Sequence, residues 1–266
     1  MNTSLAGQTV LVTRPSHQSG TLCRYIEAAG GTALTIPALE IVPLANAVER
    51  GAELVADVAR YDIIIFVSAN AVEQALRLLA PAGLPATSQL AAIGSSTAAA
   101  LEQAGYHDVV SPSTQYDSDG LLVTPLFQNI AKHTVAIIRG KGGREYLSQK
   151  LREKGAMVAQ FELYQRCLPE SSREPLQQAL SEEKISLVTA SSNNGLTNLL
   201  DLAGRGGADK LRALPLVVLS QRNRDFALQQ GFVAPIAVAE RADDQAIVQA
   251  LINLSSETGF YPGCQR

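Results

Sequence analysis

The segment VAIIRGKGGREYLSQKLREKG, residues 135–155, determines the fold class of this chain. Its apolar start, VAII, predicts a buried strand, because strands of a parallel sheet covered on both faces are apolar throughout. A helical pattern follows in REYLSQKLRE, and Gly155 suits the left-handed conformation that ends many helices. The residues between them, RGKGG, combine two cations with three glycines, which indicates a loop that approaches an anion.

The same passage from an apolar strand to a helix recurs along the chain. Five further junctions have this form: VLVTRPSHQSG, IIIFVSANAVEQAL, LAAIGSSTAAAL, LVTASSNNGLTNLL and LVVLSQRNRDFAL. Regular alternation of buried strands with helices of about 10–15 residues is typical of βα units in a parallel sheet. The sequence therefore predicts the α/β class.

These modules also repeat in order, which indicates a duplicated half-chain. Residues 10–40 align without gaps on residues 135–165, placing Arg14 on Arg139. Residues 66–72 align on 189–195, placing Ser68 on Ser191, and residues 91–110 align on 217–236. Two similar α/β domains are the expected result.

The domain boundaries have two solutions at this point. One is a cut near residue 125. In the other, the extended segments IPALEIVPL and AQFELYQRCLP pair as a two-stranded bridge, and the residues between them form a domain inserted into the other. Each domain would then combine the first module of one copy with the later modules of the other.

Composition excludes several classes of protein. A net charge of −3 argues against a broadly basic nucleic-acid surface, and no apolar run reaches the roughly 18 residues of a membrane span. Three cysteines without CxxC spacing and three scattered histidines predict free thiols and no metal site. We expect a soluble cytoplasmic protein.

The six junctions predict where a ligand binds. Ligands of open parallel sheets lie beyond the carboxyl ends of the strands, where helix N-termini direct free N–H groups and positive dipole ends. Arginine, lysine, hydroxyl and amide side chains cluster in these junctions. A large ligand with several carboxylates or phosphates would suit them.

Each feature also has a purely structural explanation. Ser, Thr and Asn at helix starts are ordinary N-caps, and Arg14 precedes a proline that suits a first helical turn. RGKGGRE lacks the GxxxxGK[ST] pattern of a nucleotide loop, and no GxGxxG opens the first βα unit. Tyr164 in ELYQRC is either a packed strand residue or, facing a cleft, a proton or hydrogen-bond donor.

Taken in order, the motifs resemble the uroporphyrinogen-III synthase family over nearly the whole chain. Those that carry the resemblance are LVTRPS, VSANAV, AIGSSTAAAL, SDGLL, IIRGKGGRE, ELYQR and LVVLSQR. The resemblance implies two flavodoxin-like α/β domains joined by a two-stranded β-ladder: residues 1–36 plus 169–266, residues 45–158, and linker strands 37–44 and 159–168.

The resemblance also implies the chemistry. The substrate would be hydroxymethylbilane, a linear tetrapyrrole polycarboxylate, and the reaction a dehydrative ring closure that inverts ring D through an azafulvene cation and a spiro intermediate. Tyr164 matches the family's tyrosine that assists departure of the hydroxyl. Neither cofactor nor metal is implied, and we expect a monomeric lyase with only transient contact with the preceding pathway enzyme. The candidate substrate-binding residues are Arg14, Ser68, Asn70, Gly94, Thr97, Arg139, Gly140, Lys141, Arg144, Ser191, Ser192 and Ser220.

Two other functions compete with this one. A non-enzymatic two-lobed α/β protein would bind a polyanionic small molecule and release it unchanged. A phosphosugar- or nucleotide-dependent transferase is weakened by the missing phosphate motifs. The second copy also departs from the pattern, because LSQRN stands where the first copy has IGSST.

Overall fold

A computed structural model describes residues 4–80, 82–143 and 145–258 of the chain. The chain forms two compact units. We call the one with the residues up to Glu40 and from Cys167 onward the discontinuous unit, and Ile41–Arg166 the continuous unit. The boundaries expected from the resemblance remain a prediction.

Strands and helices alternate along both units. The strands are β1 (Thr9–Val12), β2 (Thr32–Thr35), β3 (Glu40–Pro43), β4 (Ile63–Phe66), β5 (Gln89–Ala92), β6 (Val109–Val110), β7 (Thr134–Gly140), β8 (Met157–Cys167), β9 (Leu187–Ala190), β10 (Leu216–Val218) and β11 (Ile236–Val238). The α-helices are α1 (Ser16–Ala28), α2 (Ala47–Asp57), α3 (Ala69–Leu79), α4 (Ser95–Gln103), α5 (Ser118–Leu122), α6 (Tyr146–Glu153), α7 (Arg173–Ser181), α8 (Asn193–Arg212), α9 (Gln221–Gln229) and α10 (Asp244–Thr258). Short 3₁₀ turns span Val58–Arg60, Pro125–Phe127 and Glu170–Ser172.

The discontinuous unit has a parallel sheet with the strand order β11-β10-β9-β1-β2. Alternate residues of β1 enter opposite cores. Leu11 packs with α7 and α8, whereas Val10 and Val12 pack with α1 and α10. The sheet is therefore covered on both faces, as its continuous apolar strands predict.

The continuous unit has the order β3-β8-β7-β4-β5-β6, in which β8, β7, β4, β5 and β6 run parallel. Ile64 and Phe66 of β4 pack with α3 and α4, and Ile63 and Ile65 pack with α5 and α6. The two predicted linker strands, β3 and β8, are neighbours in this sheet, and Leu44 N–H donates to the Leu163 carbonyl at 3.2 Å. The separate two-stranded ladder remains a prediction.

Equivalent strands pair in the same register within each of the two sheets, as a duplication requires. Thr9 pairs with Thr32 in the discontinuous unit, and the aligned Thr134 pairs with Met157 in the continuous unit. Starting each sheet from β1 or β7 gives the doubly wound order 2-1-3-4-5, with the switch point between β1 and β9 or between β7 and β4. The predicted fold class, two similar parallel-sheet α/β domains, is confirmed.

One of the three internal alignments is wrong by one residue. The expected match of Ser68 with Ser191 is not the structural one, because Ser68 and Ser192 are the equivalent N-caps of α3 and α8. The strands before them, β4 and β9, have the same length and end two residues before each cap. The segments SANA (residues 68–71) and SSNN (residues 191–194) are similar enough that a shift of one residue was not apparent from the sequence.

Helix α8 is interrupted at Gly204, where the backbone has φ 68° and ψ 177°. Side chains of α7 satisfy carbonyls beside the kink. Gln177 donates to the Leu202 carbonyl at 3.1 Å, and Arg173 donates to the Asp201 carbonyl at 2.8 Å. This φ/ψ region is accessible almost only to glycine.

We expect Gly204→Ala to lower the free energy of unfolding by about 1–3 kcal/mol, because alanine must adopt a strained conformation there. Gly206→Ala is the matched control. It lies in the same helix without positive φ, its added methyl meets no atom within 4 Å, and alanine should gain up to about 1 kcal/mol there. Urea denaturation measures both, and equal effects would contradict a strained kink.

Candidate active site

The switch point of the continuous unit lies at the carboxyl ends of β7 and β4. From there the chain enters α6 and α3, which pack on opposite faces of the sheet. A crevice opens at such a point, and it is where ligands of open α/β sheets bind. Arg139 and Gly140 form the end of the first strand and Lys141 follows it, and residues 67–70 follow the second strand.

Tyr164 of β8 lies at this point and is only 1% exposed. Its hydroxyl shares a hydrogen bond of 2.7 Å with Ser68 Oγ. The ring lies directly over the backbone of Gly140, where an added Cβ would stand 2.6 Å from Cε2. Gly140 is thus the residue that lets the tyrosine ring approach the end of β7.

Ser68 joins the tyrosine to the start of α3. It is the N-cap residue, and its Oγ accepts a hydrogen bond from Ala71 N–H at 3.2 Å. The side chain is partly exposed, in contrast with the buried phenol. Ser68 therefore stands between Tyr164 and the surface at the switch point.

The RGKGGRE loop is organised around Arg139, which is only 3% exposed. Its Nη1 donates to Glu145 Oε1 at 2.8 Å and is also bonded to Gln160 Oε1. Lys141 is exposed, and within the described part of the chain its side chain has no hydrogen-bond or ion-pair partner. Arg144 lies outside the described residues.

Glu145 completes this network from the N-cap position of α6. Hydrogen bonds from Gln160 and Ser148, with the charge of Arg139, lower the pKa of the Glu145 carboxyl. Gln160 Nε2 donates to the same carboxylate at 2.7 Å. Sequence reasoning missed Gln160, which lies on the next strand and carries no motif of its own.

The remaining predicted residues of this unit follow β4 and β5. Asn70 lies in the first turn of α3 and is partly exposed. Gly94 is the N-cap of α4, with open space where a side chain would lie, and Thr97 in the first turn is 2% exposed. Gly94 therefore offers backbone to a ligand, whereas the Thr97 side chain faces the core.

In the discontinuous unit the corresponding edge holds Arg14, Ser191, Ser192 and Ser220. Arg14 forms an ion pair with Asp244 at the start of α10. Ser191 is exposed, and Ser192 caps α8 by accepting from Gly195 N–H at 3.0 Å. These residues follow β1, β9 and β10, which are neighbours in the sheet.

Two asparagines that were not singled out as site residues connect the helix starts of this unit. Ser220 donates to Asn223 Oδ1 at 2.7 Å, and Asn223 Nδ2 donates to Asn193 Oδ1 at 2.7 Å. The internal alignment places Asn223 on Thr97, so the departure LSQRN replaces a buried hydroxyl with an amide that bridges α9 and α8. The alignment of LSQRN with IGSST is the sequence signal that could have identified Asn223.

Metal-ligand clusters and membrane-spanning helices are absent from the described ranges. The His, Cys, Asp and Glu residues described there form no group of three that would hold a metal ion. No helix within the described ranges is both long enough and apolar enough to cross a membrane.

Comparisons with known proteins agree on one family. A family model described as uroporphyrinogen-III synthase HemD matches residues 20–249. Uroporphyrinogen-III synthase of Salmonella typhimurium is 31% identical over 245 residues, which cover 91% of this chain and 99% of that protein. The Escherichia coli K12 protein of the same name is 30% identical with the same coverage.

Solved structures show the same fold. A mutant uroporphyrinogen III synthase from the extremely thermophilic bacterium Thermus thermophilus superposes with a TM-score of 0.61 at 18% identity, covering 95% of this chain and 100% of that one. Uroporphyrinogen-III synthetase from Helicobacter pylori 26695 gives a TM-score of 0.56 at 16% identity, covering 93% of this chain and 99% of that one.

Proposed function

The chain belongs to the uroporphyrinogen-III synthase family, and we propose that it is the lyase that closes hydroxymethylbilane to uroporphyrinogen III with loss of water. It would act in the cytoplasm and without a cofactor. Cys23 and Cys167 are free thiols, which suits a reducing compartment. Cys264 lies outside the described residues.

The observation that carries the proposal is the hydrogen bond between Tyr164 and Ser68 at the switch point of the continuous unit. The phenol is buried and the serine hydroxyl is partly exposed. Ser68 therefore meets the substrate oxygen, and Tyr164 supplies the proton behind it. Together the two hydroxyls would act as the general acid that protonates the leaving oxygen.

The proton balance of the reaction is as follows. The C–O bond of the hydroxymethyl group breaks, and the departing oxygen takes a proton from Ser68 to leave as water. Ser68 recovers a proton from Tyr164, and the substrate becomes the azafulvene cation. The azafulvene carbon bonds to the substituted carbon of ring D and gives the spiro intermediate. The bond from that ring carbon to its original methylene bridge then breaks, the bridge bonds to the unsubstituted carbon of ring D, and this carbon loses its hydrogen as a proton, which restores the phenol.

Carboxylates of the substrate would be held by backbone N–H groups and a few cations. Within the continuous unit we propose Asn70, Gly94, Gly140 and exposed Lys141 for this role. In the discontinuous unit we propose Arg14, Ser191, Ser192 and Ser220. N–H groups at helix starts bind anions without a dedicated side chain. Holding ring D in place is positional control, which is a large contribution to catalysis.

Incubation with hydroxymethylbilane, followed by chromatographic separation of the type I and type III isomers, tests the proposed function. We expect type III to predominate, whereas the sample without protein gives type I by spontaneous closure. An isomer ratio equal to that of the protein-free sample would overturn the proposal. Recovery of bound, unchanged hydroxymethylbilane would favour a two-lobed binding protein instead.

A further inference from the structure

In the sequence, Arg139 stands where a cation could bind an anionic substrate. In the structure, its side chain has a different environment. Its side chain is 4% exposed and forms ion pairs with Glu145 at 2.8 Å and Glu162 at 4.0 Å. The Nη2 atom is buried and has no hydrogen-bond partner among the described residues. Gly143 covers it so closely that an added Cβ would overlap Nη2. The guanidinium is therefore enclosed by its own loop and by β8 in this structure.

Two of the partners of Arg139, Gln160 and Glu162, lie on β8 just before a β-bulge. Arg139 pairs with Glu162, but the next residue, Gly140, pairs with Tyr164, so Leu163 is an extra residue in β8. Bulges near active sites commonly re-aim a side chain. Here Leu163 and Tyr164 pack in the same core cluster, although strict alternation would send them to opposite faces.

The bulge is held on both sides by groups next to Arg139. Before it, Arg139 contacts the side chains of Gln160 and Glu162. After it, Lys141 N–H donates to the Tyr164 carbonyl at 2.7 Å, and Gly140 lies under the ring. Contacts of Arg139 and of the two residues that follow it therefore flank the bulge after which Tyr164 reaches Ser68.

We propose that Arg139 is a positioning residue for the Ser68–Tyr164 pair rather than a binding residue for the substrate. The proposal rests on the proposed function in its use of Tyr164. Arg139 holds Gln160, Glu162 and Glu145 with one planar group. Lysine carries the same charge without the fork geometry and cannot replace it.

Three variants separate positioning from substrate binding: Arg139→Lys, Gln160→Leu and Lys141→Ala. We expect Arg139→Lys to lower kcat about 10-fold and reduce the type III share, with KM within about twofold of its normal value, because the donor pair is misplaced. Gln160→Leu should give the same pattern. Lys141→Ala, which removes an exposed cation of the same loop, should instead raise KM and weaken its dependence on salt.

A readout independent of activity accompanies the kinetics. Amide hydrogen exchange at position 141 should accelerate in Arg139→Lys and Gln160→Leu, because the N–H bonded to the Tyr164 carbonyl is released. Unchanged exchange in both variants would overturn the proposal, and so would a rise in KM with unchanged kcat in Arg139→Lys. Absence of type III product from the unmodified protein would overturn the proposed function instead. The exchange result would still show whether Arg139 holds the end of β7 against Tyr164.

Discussion

Replacing Tyr164 with phenylalanine is expected to lower the turnover of hydroxymethylbilane about 100-fold while the protein remains folded, the low end of the range for a positioned proton donor. The substitution removes only the hydroxyl that is bonded to Ser68 Oγ at 2.7 Å. The ring stays in its buried site over Gly140. Because spontaneous closure continues, the share of type I product should rise as turnover falls.

Tyr106→Phe is the matched control for this prediction. Tyr106 belongs to the same unit and is partly buried, and its hydroxyl accepts a hydrogen bond from Leu84 N–H at 2.9 Å. Each substitution removes one hydrogen bond and should lower the free energy of unfolding by about 1 kcal/mol. Only the Tyr164 variant should lose turnover. Equal kinetics for Tyr164→Phe and the unmodified protein would exclude Tyr164 as the proton source.

A double substitution tests whether Ser68 and Tyr164 act as one donor. Ser68→Ala should impair turnover about as strongly as Tyr164→Phe, and the combined variant should be little worse than either, because residues that act as a unit are not additive. Ser68→Ala also removes the N-cap of α3 and should cost about 1 kcal/mol of stability. Independent, multiplying losses in turnover would show that the two hydroxyls act separately.

The sequence predicted the βα modules and their duplication because both rest on local patterns. Apolar runs ended within two residues of the ends of β4, β7 and β9, and Gly30 and Gly155 take nearly the same positive φ at equivalent helix ends. The candidate loop was found for the same reason, since glycines and cations after a strand are visible without knowledge of tertiary contacts.

The environment of Arg139 could not be predicted in this way. A cation before a helix opposes the dipole and so suggested a ligand. Its actual partners include Gln160 and Glu162 on the next strand, and pairing across strands has no signal in one sequence. The bulge at Leu163 is equally hidden, because the alternation of β8 looks regular until its register with β7 is known.

Gly140→Ala is expected to lower both stability and activity, and its combined effect should be larger than that of Tyr164→Phe. The added methyl would stand 2.6 Å from Cε2 and 2.7 Å from Cζ of Tyr164. The ring is packed in the core of the continuous unit, so relief requires a shift of the ring or of the end of β7. Overpacking of this kind costs about 1–3 kcal/mol, and displacement of the hydroxyl from Ser68 should lower turnover at least about 100-fold.

Two further variants show whether the cause is the contact with Tyr164. In a Tyr164→Leu background the ring is absent, so adding Gly140→Ala should cost much less stability than it does in the unmodified protein, a coupling measurable by urea denaturation. Gly20→Ala places a methyl in open space on α1 and should be neutral or stabilising by up to about 1 kcal/mol with unchanged turnover. If Gly140→Ala behaves like Gly20→Ala, the close approach of ring and backbone does not position Tyr164. A large loss that is the same with and without the ring would place the strain in β7 itself.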